Sequence, residues 1–371
     1  MANLHILVIR FSSLGDIVLN SSLPHAIKQR WGERVKISWV TSGEFAPLLE
    51  GHSSIDNVIS FDRKSGLKNL YKIIDDLHQS NKIDLMLDLH GTLRSLALRM
   101  KFRSIPRLYV DKRSLERWLL TGLKIDLLTK FGFSRKGGSF GELLLERNPR
   151  DFSGLFDLSF SVDTHAKSLN SDVHQLSSLG PYFSDDTFDL SPYGDLERKK
   201  YIVICPSASF PEKRWSIENF VTLTKKLLNE PLFKERKFIV LAGPADTFCN
   251  DFNSLVEQSS GRLINLQGKT NLIETTHLVK DAEFCIGNDT GVPHIAESMG
   301  TPSLFILGPT GEQGGFYPHL DTSRTIFKTL WCRPCTTNGK GSCIRSERYC
   351  LTKISTDEVL DMACDLSRGI S

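Results

Sequence analysis

Residues 282–309 constrain the fold of this chain more than any other stretch. An apolar run (residues 284–286) leads into the loop Gly287-Asn288-Asp289-Thr290-Gly291, a helical pattern follows, and a second apolar run (303–307) completes a strand, loop, helix and strand. In such a unit the loop lies at the carboxyl end of the first strand. The first N–H groups of the helix point there and, with the helix dipole, favour an anion such as a phosphate. A second interpretation stays open, in which Asp289 and Thr290 only cap the helix.

Short apolar runs alternate with helical patterns along most of the chain. This alternation is typical of an α/β fold in which helices cover both faces of a parallel sheet. The expected strands are residues 5–10, 35–40, 57–61, 85–89 and 107–110 in a first series, and 201–205, 238–243, 263–266, 284–286 and 303–307 in a second. The expected helices are residues 17–31, 67–78, 93–102, 217–228, 247–258 and 292–299.

The two series indicate two domains, because 371 residues are too many for one ordinary core. Turn-forming residues between 180 and 194 mark the linker. We expect an N-terminal domain over residues 1–185, a C-terminal domain over 196–350, and a terminal helix over 351–371 that packs back on the first domain. Two further segments are expected before the linker, a loop over residues 130–149 and a helix over 163–179.

The composition is that of a soluble globular protein, with 40% hydrophobic and 24% charged residues. No apolar run approaches the roughly 18 residues that span a bilayer. The first residues do not have the pattern of a signal peptide, because Arg10 interrupts their apolar run and no basic leader precedes it. We therefore expect a cytoplasmic protein, in which the scattered cysteines are reduced.

The net charge of +3 is unevenly distributed along the chain. Between Arg94 and Arg150 there are 14 Lys and Arg but only 5 Asp and Glu. A basic field of this kind attracts phosphorylated lipid, nucleic acid or an acidic membrane face. A solvated basic surface without a partner is the alternative.

Reactive side chains occupy three loops at the carboxyl ends of predicted strands. The first loop carries Asp16, the second (residues 206–214) carries Lys213, and the third begins at Asp289. The sequence contains no GxGxxG, GxxxxGK[ST] or HExxH pattern. A dinucleotide-dependent redox enzyme, a P-loop protein and a zinc protease are therefore unsupported.

Three segments around these loops together resemble the ADP-heptose:lipopolysaccharide heptosyltransferases, glycosyltransferase family 9. They are IRFSSLGDIVLNSSLPHAIKQ (9–29), PSASFPEKRWSIENFVTL (206–223) and GNDTGVPHIAESMGTPSLFILGPT (287–310). They occur in the family's order, and the likeness extends from Leu4 to about Leu360. The resemblance implies a GT-B fold, in which two Rossmann-like doubly wound domains face each other across a cleft.

The resemblance also implies a reaction, the inverting transfer of heptose from ADP-heptose to the lipopolysaccharide inner core. The acceptor would be a Kdo or heptose residue linked to lipid A. Asp16 occupies the position of the family's general base, which takes the proton of the attacking hydroxyl. Its alternative role is that of a first-turn acid interacting with the helix dipole. Lys213 matches the lysine that offsets charge on the leaving ADP. No cofactor and no catalytic metal are implied.

The same segments carry the expected donor-binding residues. Asp289, Thr290 and Gly291 match the loop and helix start that hold the diphosphate and ribose. Asp246 lies where the family contacts the nucleoside, at a turn after which many relatives have a glutamate. The hydroxyls of Ser207 and Ser209 are either phosphate donors or turn residues.

A basic patch is expected on the acceptor side. Arg63, Lys64 and Lys68 follow the third predicted strand, where the family presents basic residues to the acidic inner core. Together with the basic surplus after Arg94, they form an expected site for a Kdo-bearing lipid A at the inner membrane. We therefore expect peripheral contact with the cytoplasmic face of that membrane. No nucleic-acid partner is expected, because no recognition module is present.

Four cysteines are clustered near the carboxyl end of the chain. The cluster begins with a CxxC pair, which is common in zinc sites, but its later spacing is irregular for a zinc ribbon. A structural zinc, reduced thiols and disulfides all stay open. The residues are Cys332, Cys335, Cys343 and Cys350.

Two other functions are compatible with the same residues. A family 9 enzyme with another nucleotide sugar or glycan acceptor would have similar loops. A catalytically silent GT-B protein could bind nucleotide or lipopolysaccharide, although the presence of Asp16 and Lys213 argues against it.

Overall fold

The computed structural model describes residues 4–109, 114–125, 188–311, 318 and 320–370. The chain divides into two compact units, each with its own parallel sheet. Of the described residues, 4–109 belong to the first unit, whereas 114–125 and all those from 188 onward belong to the second. The loop predicted over residues 130–149 and the helix predicted over 163–179 lie outside the described residues.

The described part of the first unit contains five parallel strands and four α-helices. The strands are β1 (Leu4–Ile9), β2 (Val35–Ser42), β3 (Asn57–Phe61), β4 (Leu85–Asp88) and β5 (Arg107–Tyr109). The helices are α1 (Leu14–Asn20), α2 (Ser22–Trp31), α3 (Gly66–Ser80) and α4 (Leu93–Lys101). The strand order is β3-β2-β1-β4-β5, so the direction of strand addition reverses between β1 and β4. Ligands of open α/β sheets bind outside the strand carboxyl ends at such a switch point.

Both faces of this first sheet are covered by apolar side chains. Successive residues of a strand point to opposite faces. Accordingly, Ile6 and Val8 pack in one cluster with apolar residues of α2, whereas Leu7 and Ile9 pack in another with apolar residues of α3. The continuous apolar run of β1 therefore corresponds to a central strand that is buried on both sides.

Six parallel strands are described in the second unit. They are β6 (Tyr201–Cys205), β7 (Lys237–Val240), β8 (Leu263–Asn265), β9 (Phe284–Asn288), β10 (Ser303–Ile306) and β11 (Arg324–Ile326). Their order is β11-β10-β9-β6-β7-β8, and the switch point lies between β6 and β9. Residues 282–309 form β9, the following helix and β10, as predicted.

Seven α-helices of this unit are described. They are α5 (Ser114–Trp118), α6 (Ile217–Asn229), α7 (Asn253–Gln258), α8 (Leu272–Lys280), α9 (Gly291–Ser298), α10 (Tyr349–Thr352) and α11 (Thr356–Ile370). In the part of the chain that the structure describes, no helix is both long enough and apolar enough to cross a bilayer.

The terminal helix α11 packs within the second unit. Val359, Ala363 and Leu366 recur at helical spacing and join the apolar cluster that contains Ile202 and Ile204 of β6. The helix also contacts α6, β10 and β11. The packing of this helix on the first domain stays a prediction.

Two helices differ from their predicted form for local reasons. The helix predicted over residues 17–31 is interrupted between α1 and α2, because Pro24 has no N–H to donate to the carbonyl of Asn20, where α1 ends. The helix predicted over 247–258 begins as a 3-10 helix (Thr247–Phe252) before α7.

The boundary between the units also differs from the predicted one. Residues 114–125, which were expected in the first domain, belong to the second unit. There the Lys124 ammonium donates to the Pro334 carbonyl at 2.8 Å.

Candidate active site

A buried asparagine joins the two loops at the switch point of the second sheet. Asn288, the last residue of β9, accepts a hydrogen bond from the Trp215 backbone N–H at 2.9 Å. Its amide nitrogen donates to the Pro206 carbonyl at 2.7 Å. Both ends of the loop after β6, which carries Lys213, are therefore fixed to the end of β9.

Lys213 and Asp289 form an ion pair at this edge of the sheet. The ammonium lies 2.7 Å from Oδ2 of Asp289, and the two side chains are 15% and 6% exposed. Thr310, in the loop after β10, donates to the same oxygen at 2.8 Å. Burial alone would raise the pKa of Asp289, but the Lys213 charge and the interaction with His294 together outweigh burial and hold the pKa well below its usual range. The carboxylate is therefore ionised and fixes the position of the ammonium.

Helix α9 begins directly after this carboxylate. Thr290 is its N-cap residue, in an extended conformation, and the Thr290 side chain makes no capping hydrogen bond. The first turn, which starts at Gly291, contains no acidic residue. The first N–H groups of a helix have no partner within the helix, and the dipole adds positive potential there. This edge of the sheet thus presents the Lys213 ammonium and the N-terminus of α9, both of which favour a phosphate.

His294 packs inside α9 on the other side of the ion pair. Its Nε2 lies 3.6 Å from Oδ1 of Asp289. The imidazole ring lies 5.1 Å from the Phe305 ring of β10, and the residue is buried. The imidazole is therefore packed against β10, with one ring nitrogen close to the Asp289 carboxylate.

The stem of Lys213 contacts the segment that carries the clustered cysteines. A Cβ placed on Gly339 would lie 2.6 Å from both Cγ and Cδ of Lys213. Gly339 also has a φ of +92°, in the region that favours glycine. The glycine backbone therefore passes closely against the aliphatic part of the lysine.

A second carboxylate, Asp246, organises the loop after β7. Its Oδ2 accepts hydrogen bonds from the Ser207 hydroxyl at 2.6 Å and from the Gly243 N–H at 3.0 Å. The Arg214 guanidinium lies 3.6 Å from Oδ1. The structure thus brings Ser207 and Asp246 together. Ser209 is exposed and has no hydrogen-bond partner among the described residues.

In the first unit, Asp16 lies in the first turn of α1, just beyond the carboxyl end of β1. Its Oδ2 is 2.5 Å from Nη2 of Arg10 and accepts hydrogen bonds from the Ser13 N–H at 3.0 Å and the Ser13 hydroxyl at 2.7 Å. Its Oδ1 has no hydrogen-bond partner in the described part of the chain. One carboxylate oxygen is thus held in place, while the other remains to accept a proton.

The environment of Asp16 keeps the carboxylate charged. Burial alone would raise its pKa, but the Arg10 guanidinium and the hydrogen bonds from Ser13 outweigh burial and lower the pKa below its usual value. Ser13 and Asp16 also form a capping box at the start of α1. The geometry therefore agrees with both roles considered for Asp16, the base and the first-turn acid.

Asp88, another carboxylate at the first switch point, has both oxygens engaged by neighbouring groups of the protein. This fully buried residue ends β4 and accepts hydrogen bonds from the N–H groups of His90 and Gly91, both at 2.9 Å. Arg99 lies 3.0 Å from its other oxygen. Asp88 therefore shapes the turn after β4 and is a poor candidate for a base.

The three expected acceptor residues lie together on the surface after β3. Arg63 and Lys64 belong to one 3-10 turn, and Lys68 lies in the first turn of α3. Arg63 donates to the Ser42 hydroxyl at 2.8 Å and lies 3.5 Å from Glu44. Lys64 and Lys68 are exposed, so their charges face solvent.

Sequence reasoning missed three residues that hold this chemistry in place. Thr310 could have been found, because it follows β10 and so reaches the same sheet edge as Asp289. Ser13 could also have been found, since Ser13-x-x-Asp16 matches the capping-box pattern. No sequence signal identifies the pairing of Arg10 with Asp16, because a basic residue at a strand end has many possible partners.

The clustered cysteines are all free thiols. Cys332 and Cys350 are buried, and Cys335 and Cys343 are half-buried. Burial raises the pKa of Cys350 to about 11 and also raises the pKa of Cys335. Among the described residues, no group of three or more His, Cys, Asp or Glu side chains is arranged to hold a metal ion. A structural zinc thus stays a prediction, which metal analysis of the purified protein would test.

Comparison with known proteins identifies relatives over the whole chain. The model of a family described as "Glycosyltransferase family 9 (heptosyltransferase)" matches residues 146–342. Lipopolysaccharide heptosyltransferase 1 of Campylobacter coli is 25% identical over 97% of this chain and 98% of its own. The lipopolysaccharide core heptosyltransferase OpsX of Haemophilus influenzae is 24% identical over 80% of this chain and 77% of its own.

Solved structures of similar fold confirm the predicted GT-B class. The E. coli ADP-heptose lps heptosyltransferase II aligns with a TM-score of 0.65 at 17% identity and covers 99% of both chains. E. coli heptosyltransferase WaaC with ADP-2-deoxy-2-fluoro heptose aligns with a TM-score of 0.64 at 16% identity, over 98% of this chain and 99% of its own.

Proposed function

This chain belongs to glycosyltransferase family 9, the heptosyltransferases, and we propose that it transfers a heptose from ADP-heptose to the inner core of lipopolysaccharide. The acceptor is a Kdo or heptose residue linked to lipid A, and the reaction inverts the anomeric centre. The curated relatives are lipopolysaccharide heptosyltransferases, and one structural relative was solved with a fluorinated ADP-heptose, which supports this donor and acceptor class.

The observation that carries the proposal is the buried Lys213–Asp289 pair directly before the start of α9. An ammonium has three N–H donors, and Asp289 takes one of them. The remaining donors and the N–H groups at the start of α9 suit the two phosphates of ADP. Asp289 lowers the net charge of the site, but it also keeps the lysine in place before a donor arrives.

The proposed reaction is a single displacement. The acceptor hydroxyl oxygen attacks the anomeric carbon of the heptose, its proton passes to Oδ1 of Asp16, and the bond from that carbon to the ADP oxygen breaks. The electron pair of that bond leaves with ADP, where Lys213 and the start of α9 stabilise the added negative charge. Asp246 is assigned to the ribose side of the donor and Ser209 to a phosphate oxygen, while the hydroxyl of Ser207, expected as a phosphate donor, holds Asp246.

The proposal gives no step to a metal ion, because Lys213 and the helix N-terminus supply positive charge at the leaving group. Activity should therefore persist after treatment with EDTA. Loss of activity that added divalent cation restores would contradict this assignment.

The direct test measures ADP release from ADP-heptose by the purified protein, with and without a Kdo-containing lipid A acceptor. We expect release that depends on the acceptor. A folded protein that binds ADP but releases none from ADP-heptose would instead favour a different donor sugar or glycan acceptor, or a silent binding protein.

Two variants separate the assigned roles in this assay. Asp16→Asn removes the base and should lower kcat by about 100- to 10,000-fold while ADP still binds. Lys213→Ala should lower kcat and also weaken ADP binding, because it removes the charge beside the phosphates. The exposed residues Asp76 and Lys225 provide matched controls, as Asp76→Asn and Lys225→Ala. Full turnover in Asp16→Asn would exclude the base assignment.

We also place the reaction at the cytoplasmic face of the inner membrane. A water-soluble donor and a lipid-linked acceptor meet at such a surface, and the basic residues of the first unit suit an anionic acceptor.

A further inference from the structure

Helix α4 in the first unit carries an exposed apolar stripe. Leu93, Leu96 and Met100 are 85%, 40% and 68% exposed. Their spacing of three and four residues places them on one face of the helix. The opposite face carries the buried residues Ser95 and Leu98. The helix is therefore anchored by one side and presents large apolar side chains to solvent on the other.

The surroundings of this stripe are strongly basic. Residues 90–109 contain five Lys and Arg and no Asp or Glu. Arg103 and Arg107 are exposed, and the Lys101 side chain is 49% exposed, with Asp75 of α3 as an acidic neighbour at 3.9 Å. Tyr109, at the end of the edge strand β5, adds a half-exposed aromatic ring. An apolar stripe with a cationic border is the composition of an interfacial membrane helix.

The stripe begins next to the residues assigned to the acceptor. The Arg94 guanidinium donates to the Arg63 carbonyl at 3.3 Å and lies 5.6 Å from the centre of the Phe61 ring. The amino end of α4 is thereby held beside the turn that carries Arg63 and Lys64. A lipid-linked acceptor would have its sugars near that turn and its acyl chains in a bilayer close by.

We propose that the α4 surface, defined by Leu93, Leu96, Met100 and Tyr109 with Lys101, Arg103 and Arg107, docks on an anionic phospholipid bilayer. The apolar side chains enter the boundary between headgroups and acyl chains, while the cations contact lipid phosphates. The choice of a membrane as the biological setting rests on the proposed function, whereas the docking itself rests on the exposed apolar stripe and the cations around it. A symmetric contact between two copies is disfavoured, because the cationic borders would face each other.

The test is sedimentation of the full-length protein with lipid vesicles, without donor or acceptor. One set of vesicles is phosphatidylcholine alone, and the other contains phosphatidylglycerol as well. We expect binding to the anionic vesicles, weaker binding to the neutral ones, and loss of binding as salt is raised.

Three sets of substitutions locate the surface. Leu93→Gln with Leu96→Gln and Met100→Gln should weaken vesicle binding by about tenfold or more, because interfacial apolar area is lost. Arg103→Gln and Arg107→Gln should each weaken it by about fivefold on anionic vesicles only. Leu232→Gln with Ile344→Gln removes exposed apolar side chains of the second unit and should leave vesicle binding unchanged.

The outcomes distinguish this inference from the proposed function. Failure of the wild-type protein to bind anionic vesicles, or unchanged binding by the apolar triple variant, would overturn the membrane surface whether or not the protein transfers heptose. A wild-type dimer that the triple variant converts to a monomer would also overturn it, because the stripe would then be an interface between copies. Vesicle binding that depends on the stripe, in a protein that releases no ADP from ADP-heptose, would support the surface and count against the proposed heptose transfer.

The same variants also separate docking from chemistry. The apolar triple variant should keep wild-type ADP release with a deacylated, water-soluble acceptor and lose it with an acceptor embedded in vesicles. An equal loss with both acceptors would point to damage to the site and count against docking.

Discussion

Asp16 and Lys213 are each held by a residue of opposite charge. Arg10 lies 2.5 Å from Asp16, and Asp289 lies 2.7 Å from Lys213. Such a partner fixes the position of the functional group and also its protonation state. A base with a lowered pKa is intrinsically weaker, but it stays ionised at lower pH. The pH range over which this protein works should therefore depend on Arg10.

The pH dependence of kcat tests this coupling. Arg10→Met removes the charge that favours the Asp16 carboxylate, so the pKa of Asp16 should rise and the acid limb of the profile should move to higher pH. Ser13→Ala removes only a hydroxyl donor and should shift the limb in the same direction by less. An acid limb that stays in place in both variants, with thermal unfolding unchanged, would show that Asp16 does not govern it.

Gly339 controls the position of the Lys213 stem. An added methyl group would overlap Cγ and Cδ of the lysine, so Gly339→Ala should displace the ammonium and lower kcat by up to about 100-fold. Gly341→Ala is the matched control, because Gly341 also has a positive φ but has no atom within 4 Å of its added Cβ. Steady-state kinetics of both variants give the comparison, and equal losses would assign the effect to backbone strain alone.

At the level of elements, β9 and α9 meet at a distance that only glycine permits. A Cβ on Gly287 would lie 2.8 Å from Cβ of Cys205 and 2.9 Å from Cγ of Pro293. The first turn of α9 is thus packed directly against β6 and β9, which fixes the helix N-terminus relative to the Lys213 loop.

Gly287→Ala should accordingly destabilise the second unit by about 1–3 kcal/mol, because neither neighbouring backbone can retreat without breaking sheet or helix contacts. Urea unfolding measures the change. Gly369→Ala, near the end of α11 with no atom within 4 Å of its added Cβ, should be neutral or stabilising by up to about 1 kcal/mol. A Gly287→Ala protein as stable as the wild type would show that the strands can separate locally.

The elements that sequence predicted well are those whose signal is local. The apolar runs of β1, β6 and β9 are continuous, so the sheet edges and the placement of Asp16, Lys213 and Asp289 after these strands followed from sequence. The Asn288 bridge, the Ser207–Asp246 bond and the approach of Gly339 to Lys213 could not be predicted. Each joins residues at least 39 positions apart, and only the folded chain brings them together.

At the scale of the whole molecule, each unit has its own parallel sheet and its own apolar clusters. All residues assigned to ADP, from Ser209 to Gly291, belong to the second unit. ADP should therefore stabilise the second unit more than the first. The protein need not unfold in a single two-state transition.

Hydrogen exchange with and without ADP tests this division. At about 100 times its Kd, ADP should stabilise the unit that binds it by about 2.7 kcal/mol. Protection should rise in the loops after β6 and β9 and in α9, and change little in β1 to β4. Equal protection of both units would contradict the assignment of ADP to the second unit.

The close passage of Gly339 beside Lys213 has a thermodynamic consequence. A lysine side chain in solvent samples many rotamers, and ordering it costs up to about 2 kcal/mol. Here the Gly339 backbone confines the stem of the Lys213 side chain, and the Asp289 carboxylate holds its ammonium, before any donor binds. The side-chain entropy of Lys213 is therefore lost during folding. When a diphosphate binds, the ammonium is already in place, so the binding free energy of the diphosphate includes no cost for ordering the lysine.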